Sequence, residues 1–219
     1  GGAAKAPLSE ENLPALAGGM PNLFKHIENM QQVYQKPVVV GMNRFASDTP
    51  AGIKYVIDEV EKRGVQAVFT DVFTQGGKGG EELARAVAAA CDIPSELHYA
   101  YELDMPVRDK IEAVATRIYG ADGVDYESAA AESIARIEKK GFGGLPVIIA
   151  KTQYSLSDDE KLLARPTGFR IKVRDVILKG GAGFIVVVAG KIMLMPGLSK
   201  HPSAEHIFLD DEGNIHGLS

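Results

Sequence analysis

The chain has 219 residues, 45% of them hydrophobic and 24% charged, with a formal net charge of −5. That is ordinary globular composition, long enough for a substantial core and far from the low-hydrophobicity regime of disordered chains. The negative balance and the lack of any long Lys/Arg cluster argue against a nucleic-acid or anionic-membrane surface, which needs concentrated positive charge. The longest apolar run, Phe184 to Ala189, is too short to span a bilayer, and the opening GGAAKAPLSEEN has no signal-peptide core. The cytoplasm is the expected compartment. A single cysteine, Cys91, allows no internal disulfide, and its helical spacing from Leu83 and Val87 predicts a core position.

In chain order, Leu23, Ile27, Met30 and Tyr34 recur at helical spacing, and Pro37 ends that helix ahead of a strand from Val38 to Met42. Ile53, Val56, Ile57 and Val60 form the next helical stripe, closed by Gly64, and Val65 to Phe69 form a second strand. Glu81 to Cys91 reads as a helix, and Pro146 to Ala150 as a later strand of the same alternation. Alternating strands and helices imply a parallel sheet with right-handed crossovers. A helical section interrupts it, with Asp104 as N-cap before Pro106, a shared face of Ile111, Val114 and Ile118, and Ser128 capping a helix that runs to Lys140. Two β-rich runs, Phe169 to Leu178 and Phe184 to Ala189, follow on either side of GGAG.

Function is expected at the strand-to-helix turns, where open α/β sheets present their binding groups. The first turn holds Phe45 and the second Phe73, and two such rings at or just past strand ends can clamp a flat heterocycle. Beyond Phe73, Gly76, Gly77, Gly79 and Gly80 surround Lys78. This loop has two readings: an anion site built from amides, helix dipole and ammonium, or a mobile turn. It is no GxxxxGK[ST] loop, and neither Gly190-Lys191 nor Gly180 to Gly183 stands in the order that a phosphate or dinucleotide fingerprint requires. Asn43 also has two readings, a side-chain amide that reads a nucleotide base or a turn-former bonding its own backbone. The five histidines form no zinc pattern, and Asp158, Asp159 and Glu160 read as a solvated acidic turn. No metal site is expected from these residues, and no catalytic residue stands out.

Several blocks together carry a resemblance: VVVGMNRFASDT from Val38, GGKGGEELA from Gly76, KIEAVATRIYGADGV from Lys110, LPVIIAKTQYSLSDD from Leu145, GAGFIVVVAGKIMLMPGL from Gly181, and the closing GNIHGL. The chain resembles the C-terminal portion of formate–tetrahydrofolate ligase (formyltetrahydrofolate synthetase), in register over essentially its whole length. KTQYSLSDD followed by MPGL is the most specific part. Family members are more than twice as long and keep their phosphate loop in the preceding part. The opening without Met, leading into a helix, reads as a cut inside an α/β domain.

The resemblance implies an α/β fold, a parallel-sheet P-loop-NTPase-like core lacking its phosphate-loop part, with helical and β-rich C-terminal additions. Residues 1–93 would be the C-terminal part of the nucleotide- and folate-binding domain, 94–145 the helical section, and 146–219 an α+β domain. It implies ATP, tetrahydrofolate and formate as ligands, Mg2+ and a monovalent cation as cofactors, and a homo-oligomer or the missing half as partner. Asn43, Phe45, Phe69, Phe73, Gly76, Gly77 and Lys78 are the implied binding residues. The family commonly has Trp where this chain has Phe73, Leu at Phe69, Pro at Ala46, and an acidic residue at Lys191. By itself the chain is expected to be inactive; the alternative is a non-catalytic folate- or nucleotide-binding module or assembly subunit.

Overall fold

The computed structural model describes residues 11–192 and 200–217, so the MPGL block at 195–198 lies outside the described residues. The fold is α/β, organised around two separate sheets.

The first unit begins with α1 (Leu13–Glu28), whose N-terminal amides are met by Asn12, its Oδ1 accepting from Ala15 N at 2.9 Å. A π-helical turn, Asn29–Val33, follows, and Pro37 precedes β1 (Val39–Asn43). Next come α2 (Pro50–Glu61) and β2 (Gln66–Thr70), which pairs in parallel with β1 so that Asn43 stands opposite Thr70. A short α3 (Val72–Gln75), a 3-10 turn (Gly76–Gly80) and α4 (Glu81–Cys91) complete the unit. Strand alternation sends successive side chains to opposite faces. Val40 and Ala67 pack into the core of Met20, Phe24, Ile27, Val60 and Val65 beneath α1 and α2. Gly41 faces α4, where a Cβ would meet Leu83 at 3.0 Å.

Cys91 does not lie in the core: it is exposed. Within α4 only Ala86 is buried. The face carrying Val87 and Cys91 borders an open groove with Lys36, Pro37 and Val39.

The second unit comprises α5 (Val107–Ala113), a π-helical turn (Val114–Tyr119), β3 (Val124–Tyr126), α6 (Ser128–Lys139), β4 (Val147–Ala150), β5 (Ile171–Lys179) and β6 (Phe184–Ala189). Its four strands run in the order β3-β5-β6-β4. β3 is parallel to β5 and β4 to β6, while β5 and β6 are antiparallel around the glycine turn. The expected single alternation is therefore corrected: β4 continues no β1–β2 sheet, and the intervening section itself contributes a strand to the second one. The apolar run of β6 fits that position, since Ile185 and Val187 are fully buried against Ile111, Ile134, Ile171 and Val173. Burial of each such aliphatic side chain contributes about 1.5–3 kcal/mol.

Both expected caps in this region are also corrected. Pro106 occupies the cap position of α5, and the Val107 amide is met by Glu138 Oε1 at 2.9 Å, from α6. Glu127 occupies the cap position of α6, Ser128 being its first helical residue, and no side chain caps it. A small hairpin, β7 (Phe208–Leu209) with β8 (Ile215–His216), stands apart.

The two units are tied by polar contacts. Lys25 Nζ donates to Arg117 O at 2.8 Å and Asn29 Nδ2 to Ile118 O at 2.9 Å. Arg165 grips Glu28 with both amino nitrogens, at 2.8 and 2.6 Å, and this hydrogen bonding holds the Glu28 carboxyl below its usual range. No described helix is long and apolar enough to cross a membrane.

Candidate functional site

Two tight turns leave the carboxyl ends of β1 and β2. In the first, Phe45 N donates to Asp48 Oδ2 at 2.8 Å and Asp48 N returns a bond to Phe45 O at 3.0 Å. Thr49 then caps α2, its hydroxyl accepting from Gly52 N at 3.1 Å, with Pro50 in the first turn. The turn is fixed by its own residues, yet the Phe45 ring is 67% exposed. In the second, Phe73 lies on α3 and is 90% exposed. Asn43, the last residue of β1, is exposed as well, and its amide makes no hydrogen bond among the described residues. The turn-forming role that could have explained Asn43 belongs to Asp48.

Gly76 to Gly80 fold as a 3-10 turn, and Asp71 N donates to Gly79 O at 3.1 Å across its base. The Cα of Gly76 and of Gly77 has no atom near its missing Cβ, so this face of the loop is open, and Lys78 is exposed beside it. Phe69 lies elsewhere. Inside β2 it lines a groove with Ile57, Arg85, Ala86 and Ala89, so the structure brings Asn43, Phe45, Phe73 and the glycine loop to one sheet end and leaves Phe69 on the flank.

Asp71, unmarked in the sequence reading, sits where these pieces meet. Its Oδ2 accepts from Arg44 Nη1 at 2.9 Å and from Gln75 Nε2 at 3.0 Å, while Oδ1 is buried without an aligned partner. The Thr74 hydroxyl foremost, then Gln75 and Arg44, hold its carboxyl below the usual range. Its position directly after a strand end, ahead of a turn, was the available signal.

The acidic turn borders a second cleft, at the carboxyl ends of β4 and β6, lined by Asp158, Asp159 and Glu160 together with Lys161, Lys172, Arg174 and Lys191. Asp158 Oδ2 accepts from Lys172 N at 3.3 Å and Asp159 Oδ1 from Lys161 N at 2.9 Å, so both carboxylates are used locally. Among the described residues no group of three or more His, Cys, Asp or Glu is placed to hold a metal ion.

This is an α/β protein that presents two aromatic rings, an amide and a glycine loop at the carboxyl ends of paired parallel strands, the end at which open α/β sheets place their ligands. The model of the formate–tetrahydrofolate ligase family matches residues 1–219. The formate–tetrahydrofolate ligase of Psychrobacter sp. (strain PRwf-1) is 53% identical over 222 residues, an alignment that takes in 100% of this chain and 39% of that protein. The chain belongs to the formate–tetrahydrofolate ligase family, and spans well under half the length of that relative.

Proposed function

We propose that this chain forms the folate- and base-binding wall of an ATP-dependent ligase that makes 10-formyltetrahydrofolate from formate and tetrahydrofolate. One observation carries the reading: in a chain of this family, Phe45 and Phe73 stand exposed at the carboxyl ends of neighbouring parallel strands. In the reaction a formate oxygen attacks the γ-phosphorus of ATP, giving formyl phosphate and ADP. N10 of tetrahydrofolate then attacks the formyl carbon, the carbon–oxygen bond to phosphate breaks, and N10 loses its proton.

Phosphoryl transfer to so weak a nucleophile depends on positioning and charge neutralisation. In this reading those groups, with Mg2+ and a monovalent cation, belong to the remainder of the ligase. β1 and β2, with α2 and α4 on opposite faces, are two strands of a larger P-loop-NTPase-like sheet; among the described residues neither outer edge carries a further strand. Phe45 and Phe73 hold the pterin, each ring pair adding about 1 kcal/mol beyond burial. Asn43 approaches the base of the nucleotide, and Gly76, Gly77 and Lys78 face its anionic part. Phe69 shapes the flank of the wall. The chain alone performs no ligation, and works in the cytoplasm in a homo-oligomer or with the rest of the ligase, without nucleic acid or membrane.

Calorimetric titration of the purified chain with tetrahydrofolate, wild type against Phe45→Ala/Phe73→Ala, tests this. Saturable binding that the double variant loses supports the reading. Binding that survives the double substitution overturns the ring assignment, and a folded chain that takes up no folate overturns its ability to form the wall by itself.

A further inference from the structure

Asp71 and Arg44 are 27 positions apart, yet their ion pair joins the two turns that carry the exposed rings. An Asp that follows a strand and opens a helix ordinarily accepts from that helix's first amides. Asp71 does not: it occupies the cap position of α3 with no side-chain capping bond. Its carboxylate turns sideways, and the single oxygen Oδ2 takes both Arg44 Nη1, from the residue before Phe45, and Gln75 Nε2, two residues after Phe73. The main chain of Asp71 is held with equal firmness. Its N–H donates to Gly79 O at 3.1 Å and its carbonyl accepts from Gln75 N at 3.0 Å. The neighbouring strand end is secured by Arg44 N donating to Thr70 O at 3.1 Å. Arg44 itself is about half exposed, with side-chain accessibility 46%, whereas that of Asp71 is 7%. A carboxylate withdrawn from water and held by side chains of both turns, Arg44 from one and Thr74 and Gln75 from the other, fixes the geometry between them.

We propose that Asp71 is a positioning residue that couples the Phe45 turn to the Phe73 helix and the glycine loop, and so sets the spacing of the two rings. Its consequence for ligand rests on the folate reading given above. Stacking is sensitive to ring separation, and a latch between the turns holds that separation constant in the absence of ligand. Neither ring contacts Asp71 in this scheme; the carboxylate acts through Arg44 and Gln75.

The test uses the whole chain and two readouts, amide hydrogen exchange without ligand and calorimetric affinity for tetrahydrofolate, on wild type, Asp71→Asn, Arg44→Ala, the double variant and Phe73→Ala. Asp71→Asn keeps the size and an acceptor for Gln75 but loses the charge; Arg44→Ala removes a half-exposed partner and serves if the first variant does not fold. The expected result is faster exchange at both the Arg44–Asp48 turn and the 72–80 segment in each single variant, with folate binding about tenfold weaker and the double variant no worse than the more damaging single one. Faster exchange in 72–80 alone, with the Phe45 turn unchanged, overturns the coupling. Exchange altered in both segments at unchanged folate affinity overturns its role in ring spacing. If Phe73→Ala leaves folate binding untouched, the folate reading fails, while the exchange data still decide whether Asp71 joins the turns.

Discussion

Gly79 lies so close to Asp71 that a Cβ at position 79 would sit 2.3 Å from the Asp71 carbonyl oxygen. The neighbour is backbone held in its own hydrogen bonds, so it cannot swing aside. Gly79→Ala should therefore cost about 1–3 kcal/mol and pull the glycine loop off Asp71. At Gly77 the equivalent position meets nothing within 4 Å. Gly77→Ala should leave stability within about 1 kcal/mol of wild type, on either side of zero. Paired thermal denaturation of the two variants checks this, and equal melting temperatures would contradict the contact.

Lys110 is the largest fully buried side chain, and its ammonium donates to Leu103 O at 2.6 Å, Gly143 O at 2.6 Å and Leu145 O at 3.0 Å. Burial pushes its pKa down, with Asp104 and Glu138 opposing. The side chain pins two loops to α5. Lys110→Met should lower stability by about 3 kcal/mol or more, because three carbonyls lose their donor inside the protein. Lys54, exposed and paired only with Asp58 one helical turn away, gives the contrast: Lys54→Met should change stability by less than about 0.5 kcal/mol. Urea unfolding midpoints of the two variants measure the difference.

The same residue shows where sequence reading stops. Apolar periodicity located α2, whose inner face packs into the first core, and an unbroken apolar run located β6, which is buried on both faces. The strands β1 and β2 were each read one residue early, a shift within the fraying of element ends. Lys110, by contrast, looks in sequence like any surface lysine of an amphipathic helix, since the carbonyls that claim it come from loops 7 to 35 positions away. The cap of α5 escaped for the same reason: its acceptor, Glu138, is 31 positions distant. Sheet membership was illegible because β4 has the same apolar pattern whether it pairs with β1 or β6. The placement of Phe45 and Phe73 just beyond strand ends was legible from chain position alone, while the Arg44–Asp71 pair that links their turns is a tertiary contact with no local signature. Cys91 failed in the opposite sense, its helical spacing suggesting a core on a face that borders an open groove.

The β7–β8 hairpin has an electrostatic clasp. Asp210 accepts from His216, from the Asn214 side chain and amide and from Glu212 N, which together hold its carboxyl at about 2 against a usual 3.8. A folded value below the unfolded one means that the clasp contributes fully above about pH 3.8 and is lost as pH falls toward 2. The Asn214 and Glu212 amide resonances should hold their positions from pH 7 to 4 and move toward random-coil shifts below that. Asp210→Asn should show the low-pH shifts at neutral pH, and identical titration curves for variant and wild type would rule the clasp out.

The Phe73 ring is 90% exposed, so nothing in the surrounding fold limits a larger one. Stacking scales with shared ring area, and an indole offers more than a phenyl. Phe73→Trp should therefore strengthen tetrahydrofolate binding by a factor of about 2 to 10, the equivalent of about 0.5–1.5 kcal/mol of added stacking. Its unfolding midpoint should stay at the wild-type value, because the substituted ring makes no packing contact to lose. The chain contains no other Trp. Quenching of the new indole fluorescence on titration with tetrahydrofolate thus reports occupancy directly at position 73. Tighter binding with quenching places the pterin on this ring; tighter binding without quenching places it elsewhere, and unchanged affinity removes Phe73 from the site.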